Sequence, residues 1–235
     1  MVDNSRPAHI RDIHIEAWLP GENTLLLRGE LGDERPQGIG AQSGRNEKIH
    51  GIGITIELSL PALRIESIEV DMPTVPQPEC REVREGAKKL VGETVASGFS
   101  KKVLETLPRT ETCPHIVTLI LQMAPVAIQG SYVYFFDQAS NAIKSGELNL
   151  DKFTELTREQ WKNSCYVAAE DGPGLKKMEK HGMRFPLCEV AGMLGRSPEE
   201  LIEEARKGRF PAKEEDGKWL VWWKDLKDWM PSGKR

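Results

Sequence analysis

The sequence predicts an α+β fold with a small second domain, and three observations carry that expectation. Residues 12–70 hold four stretches of alternating apolar and polar side chains separated by proline and glycine turns. Residues 83–136 then change to helical spacing. Four of the six tryptophans fall between Trp219 and Trp229, which marks a separate small core. Strands first and helices after is the order of an α+β layer, here a four-stranded, mainly antiparallel sheet with covering helices.

Residues 1–9 read as a loose tail. From Asp12 to Leu19 the side chains alternate, with Ile13, Ile15 and Ala17 on one side, and Pro20-Gly21-Glu22-Asn23 turns the chain into a second strand over Thr24–Leu31. Gly32–Lys48 is polar and glycine-rich, as an exposed loop would be. Its Gly38–Gly44 portion lacks the Gly-Lys-Ser step and following helix of a phosphate loop. Ile52, Ile54, Ile56 and Leu58 alternate as a third strand, and Ile65, Ile68 and Val70 mark a fourth. After the proline-rich connection Asp71–Pro78, one helix is expected on the face Val83, Ala87, Leu90 and Val91, and another on Phe99, Val103 and Leu107. Leu148–Gly172 is mixed, with a short strand expected over Ser164–Ala169, and Gly174–Gly182 is charged like a linker. These readings divide the chain into a domain over 10–173, a linker over 174–183 and a second domain over 184–232.

The chain has 235 residues, a net charge of −4, 39% hydrophobic and 29% charged residues, which is the balance of a folded globular protein. That charge gives no general attraction to nucleic acid or anionic membrane, so any basic surface has to be local. The polar N-terminus lacks the apolar core of a secretory signal, and the four cysteines are widely spaced, so reduced thiols in the cytoplasm are expected. Ile116–Phe136 contains no charged residue and is long enough to span a bilayer. Thr118, Gln122 and Gln129 form a polar stripe along it, and Pro125, Gly130 and Ser131 interrupt it. The expectation is a buried core helix leading into a strand or second helix, with no membrane partner.

In the C-terminal part, Leu187–Leu194 is a short amphipathic helix, and Ser197-Pro198-Glu199-Glu200 starts a second one with a capping serine and a first-turn proline. Phe210–Ala212 and Lys218–Trp222 read as strands around an Asp216-Gly217 turn, and Asp225–Met230 as a closing helical turn. Glu189-Val190-Ala191, Leu194-Gly195-Arg196-Ser197, Arg206-Lys207-Gly208-Arg209-Phe210-Pro211-Ala212 and Gly217-Lys218-Trp219 resemble an excisionase/MerR-type winged helix-turn-helix. That resemblance implies that the second helix enters the major groove of DNA. A basic stripe for double-stranded DNA would come from Arg196, Arg206, Lys207, Arg209, Lys213 and Lys218. Glu199, Glu200, Glu203 and Glu204 on the same helix oppose it, because DNA affinity rests on neutralising phosphate charge. Contact with a protein partner, or self-association, is the expected use.

The chemistry-bearing residues of the first domain centre on Cys113-Pro114-His115. Zinc favours four thiolate or imidazole ligands, and His50, Cys80, Cys113 and His115 supply two of each, with Cys165 as a substitute. Alternatively, Cys113 is a nucleophile with His115 or His50 as its base, His50 being favoured because residues two apart on a helix point apart. The ordinary alternative is that these cysteines simply pack as small hydrophobes. His50, Cys80, Leu90-Val91-Gly92, Gly98-Phe99, Cys113-Pro114-His115, Asn163-Ser164-Cys165-Tyr166 and Asp171-Gly172 resemble the bacterial family of domains of unknown function DUF2889. The likeness departs at Pro114, where threonine is usual, and at Tyr166, where histidine is. It implies no activity. The order of sheet, cysteine, helices and a Cys/His step is also similar to that of iron–sulfur scaffold proteins, which adds an iron–sulfur cluster to zinc as a cofactor expectation. The expected function is that of an accessory or regulatory protein with a metal or redox site, the alternatives being a DNA-binding regulator and a cysteine-dependent enzyme.

Overall fold

The computed structural model describes residues 5–39, 44–226 and 229. The chain divides into two compact units, Met1–Phe135 and Phe136–Arg235. The division falls inside a long helix, well before the boundary expected near residue 173.

The first unit is built on four antiparallel strands in sequence order, β1 (Ile10–Gly21), β2 (Thr24–Arg35), β3 (Glu47–Ser59) and β4 (Arg64–Thr74). The register brings the alternating apolar positions into rows across the sheet. Ile13, Leu31 and Ile52 form one row, Ala17, Leu27, Ile56 and Ile68 another. Leu27, Leu31, Ile52, Ile56 and Ile68 are all buried, because a period of two places every second side chain on the covered face. The hairpin arms are longer than their apolar residues: β2 runs to Arg35 and β3 starts at Glu47, so the expected Gly32–Lys48 loop is strand at both ends. Residues 40–43 of that stretch lie outside the described residues.

Pro78–Leu90 forms a run of 3₁₀ turns rather than the expected α-helix, with Ala87 and Leu90 buried and Val91 exposed. The chain beyond it closes the β4 edge through Gly92 N–H to Ile65 O (2.8 Å) and Ile65 N–H to Glu93 O (2.9 Å). Helix α1 (Phe99–Thr106) buries Phe99 and Val103, and Leu107 just beyond it is buried too, the expected face.

Helix α2 (Pro114–Ser145) is continuous where a break was expected. The presumed interruptions have other uses. Ser131 Oγ donates to Ile128 O (2.8 Å) within the helix, and Gly130 lies so close to β1 that a Cβ there would meet Ala17 Cβ at 2.7 Å. Its Pro114–Ala142 portion is long and apolar enough to cross a membrane, yet Ile116, Leu119, Ile120 and Met123 are buried in the core with the sheet residues. Length and composition alone do not separate the two uses.

The second unit contains α3 (Leu150–Trp161), α4 (Pro173–His181), β5 (Arg184–Pro186), α5 (Leu187–Leu194), α6 (Pro198–Arg206), β6 (Ala212–Glu215) and β7 (Lys218–Trp222). Its three strands pair antiparallel in the order β5-β7-β6. The stretch read as a linker is α4: Leu175 and Met178 are buried, while Lys176, Lys177, Glu179 and Lys180 occupy its exposed side. Ser164–Ala169 forms turns instead of a strand, closed by Asn163 N–H to Ala168 O (2.8 Å) and Ala168 N–H to Cys165 O (3.1 Å). Trp223 is fully buried and donates Nε1–H to Asp151 Oδ1 (3.0 Å), so the core tryptophan also finds the polar partner it needs.

Candidate metal centre

Asp33 continues the buried row of β2. Leu25, Leu27, Gly29, Leu31 and Asp33 are alternate residues that all face the core, and Asp33 is 1% exposed. A buried carboxylate is costly unless paired, and the register supplies the partners. Arg11 on β1 and His50 on β3 are its cross-strand neighbours on either side. The pairing slips just after Asp33, from Asp33–His50 to Glu34–Lys48, and bulges of this kind re-aim side chains at a sheet end.

Arg11 grips the carboxylate with both arms of its guanidinium, Nε to Oδ1 at 2.7 Å and Nη2 to Oδ2 at 2.8 Å. His50 Nδ1 lies 2.9 Å from Oδ2, and His9 Nε2 lies 3.2 Å from Oδ1. His115, in the first turn of α2, brings its Nε2 to 3.3 Å from Oδ2. The His50 and His115 rings stack at 3.9 Å between centroids. Asp33, His50 and His115 thus place three ligand atoms within 4.8 Å of one another. Ligands about 2.0–2.1 Å from a tetrahedral zinc stand about 3.3–3.4 Å apart, so the His115 contact of 3.3 Å already fits, the His50 contact of 2.9 Å has to lengthen, and the two imidazole nitrogens stand within 4.8 Å of each other. A hollow of about 340 Å³ borders the group, walled by Asp33, His50, Lys48 and Asp71 and by Gly32, Gly51 and Gly53.

The charges follow from this geometry. The Arg11 guanidinium, assisted by His50 and His9, holds the Asp33 carboxyl well below the usual carboxylate range despite its burial. Burial pushes the His115 imidazole down, helped by repulsion from His50 and opposed by Asp33. His115 is therefore kept neutral more readily than a free imidazole, as metal ligation requires.

Of the residues nominated from sequence, His50 and His115 come together. Cys113 Sγ lies 3.5 Å from His115 Nδ1, the ring nitrogen opposite to the one that faces Asp33. The two side chains meet because α2 begins at Pro114, leaving Cys113 outside the helix. This makes His115, not His50, the imidazole beside Cys113. Cys80 lies in the 3₁₀ segment, half-buried and packed on the first core, and Cys165 is exposed in the second unit. Among the described residues, no group of three ligand atoms contains a cysteine. Asp33, Arg11 and His9 were missed. The available signal was parity: Asp33 is in phase with Leu25, Leu27 and Leu31, but a charged residue beside a glycine reads as loop.

Three of the six basic residues expected to form a stripe, Arg196, Arg206 and Lys207, have side-chain partners, and Arg209, Lys213 and Lys218 are exposed. Arg196 bonds Glu200 (2.5 Å) and Glu204 (3.2 Å), and Lys207 pairs with Glu203. Arg206 lies over the Trp219 ring, 5.7 Å from its centroid. Arg209 follows α6 with its N–H on Glu204 O (2.9 Å), and Lys213 and Lys218 sit on the β6–β7 hairpin. The Ser197 side chain caps α6 by accepting from Glu200 N–H at 3.1 Å, while the Glu200 carboxylate turns to Arg196.

Comparison with known proteins gives one family: the model described as a protein of unknown function, DUF2889, matches residues 9–129. No curated protein and no solved structure matches the chain.

Proposed function

The chain belongs to the family of proteins of unknown function DUF2889, and we propose that its first unit binds one divalent transition-metal ion through Asp33, His50 and His115. The observation that carries this reading is the convergence of a buried carboxylate and two imidazoles from β2, β3 and α2 within 4.8 Å. Imidazole with carboxylate suits zinc first, and also iron(II), cobalt(II) or nickel(II). An iron–sulfur cluster is not supported, since it takes its iron through several thiolates. Cys113 acts on the second nitrogen of His115, fixing which nitrogen carries the proton and which points at the ion.

The second unit is read as a winged helix-turn-helix used for protein contacts, which makes the whole chain an accessory or regulatory protein. The support is the α5–α6 pair turned at Gly195, the β6–β7 hairpin, and the use of Arg196 and Lys207 to neutralise glutamates of α6. Cations already paired this way contribute little to phosphate binding. Tight, steeply salt-dependent binding to duplex DNA would replace the protein-contact reading with a DNA-binding one.

Protein exposed to zinc and dialysed should retain about one ion per chain by elemental analysis. His50→Ala and His115→Ala should lose it, while Cys80→Ser and Cys165→Ser should keep it. Wild-type protein without metal would sink the reading.

A second reading rests on the line Cys113 Sγ, His115 and Asp33, with contacts of 3.5 and 3.3 Å. That order is a thiol, an imidazole base and an orienting carboxylate, as a cysteine nucleophile needs. It requires a proton on His115 Nε2, the nitrogen the metal would take, so the two states exclude each other. Alkylation of Cys113 at a rate unaffected by zinc would favour the thiol reading.

A further inference from the structure

We infer that Arg11 is a tethered competitor of the metal ion, so that the centre exchanges a guanidinium for a metal and is a reversible, responsive site rather than a structural one. The inference rests on the metal reading above and adds how that site is regulated.

Oδ2 of Asp33 has three nitrogen neighbours, Arg11 Nη2 at 2.8 Å, His50 Nδ1 at 2.9 Å and His115 Nε2 at 3.3 Å. A carboxylate oxygen has only two lone pairs, and once both imidazoles turn to an ion one of them is free for it, so the ion shares Oδ2 with the Arg11 guanidinium or displaces it. Each neutral imidazole can change from donor to ligand at that nitrogen by moving its proton to the other ring nitrogen, but a guanidinium has no lone pair to offer and stays charged at every pH of interest. Arg11 therefore either leaves Oδ2 or holds a like charge against the ion in a site where Asp33 is 1% exposed. Its own side chain is 37% exposed, so it has solvent to move into. Asp33 is also the one carboxylate of the group, and Arg11 neutralises it before any metal arrives. Exchange moves the guanidinium at the start of β1, beside His9, and so changes the charge displayed at that end of the sheet when metal binds.

The test is a competition titration of the full chain with zinc alone, against a chromophoric chelator. Arg11→Gln should bind zinc at least about tenfold more tightly than wild type, and Arg11→Lys, which keeps the charge but not the fork, should lie between them. Equal or weaker binding by Arg11→Gln would overturn the inference and make Arg11 a residue that positions Asp33 for the ion. A second measurement needs no variant: modification of Arg11 by a dicarbonyl reagent, followed by peptide mass spectrometry, should speed up severalfold on zinc addition. Unchanged or slower modification would overturn the exchange. Failure of the underlying reading looks different, since wild type and Arg11→Gln would then both lack zinc and His50→Ala would change nothing.

Discussion

Replacing Asp33 with asparagine keeps the shape of the side chain and removes its charge. In the native unit the carboxylate accepts from Arg11 at 2.7 and 2.8 Å and faces His50 at 2.9 Å. Each bond to a charged group contributes about 1.5–3 kcal/mol net, but the three share partners and do not add. Breaking a buried ion pair from one side costs about 3–5 kcal/mol. The lower end applies, because the Arg11 side chain is 37% exposed and regains water while asparagine keeps one acceptor. A unit the size of Met1–Phe135 unfolds with an entropy of about 0.28 kcal/mol/K, so about 3 kcal/mol lowers its Tm by about 10 °C. Thermal unfolding of metal-free protein at pH 7, followed by far-ultraviolet circular dichroism, measures this directly. A shift below about 3 °C would refute the argument that the ionised carboxylate organises this end of the sheet.

Metal-free protein should lose stability as pH falls through the imidazole range, near 6.5, because the unfolded chain binds a proton at His115 more readily than the folded one. His115→Gln should flatten that limb in urea titrations between about pH 7 and 5. Asp33, held ionised well below the carboxylate range, adds no pH dependence until more acid conditions. Gly29→Ala, whose Cβ would lie 2.8 Å from Met123 Sδ, should cost about 1–3 kcal/mol by urea midpoint. Gly130→Ala should also destabilise, by about 1–2 kcal/mol, since the contact with Ala17 outweighs the roughly 1 kcal/mol that alanine gains in a helix. In the second unit, Leu201→Ala at a fully buried position should cost about 2–5 kcal/mol, read as an earlier unfolding transition with no loss of zinc from the first unit.

Local periodicity was enough to find the four strands, the face of α1 and the helices α5 and α6. Each of these states its burial in side-chain spacing that repeats within a few residues. It was not enough where polar residues dominate a packed element. Four charged residues made α4 read as a linker, although Leu175 and Met178 sit one turn apart and are buried. Pro125 and Gly130 made α2 read as two elements, although the sheet against it requires a small residue at Gly130.

The candidate centre divides in the same way. His50 and His115 were legible as ligand types, and Cys113 as the chain neighbour of His115. What joined His50 to Asp33, Arg11 and His9 is strand register, a relation between residues 17–24 positions apart, and what brought His115 to them is the packing of α2 on the sheet; no local pattern encodes either. Sequence alone determined the α+β order and the buried face, because burial repeats along the chain. Only the tertiary structure decided that a carboxylate on that face meets two imidazoles and a guanidinium instead of cysteine thiols. A charged residue enters a core only where distant segments arrive to satisfy it.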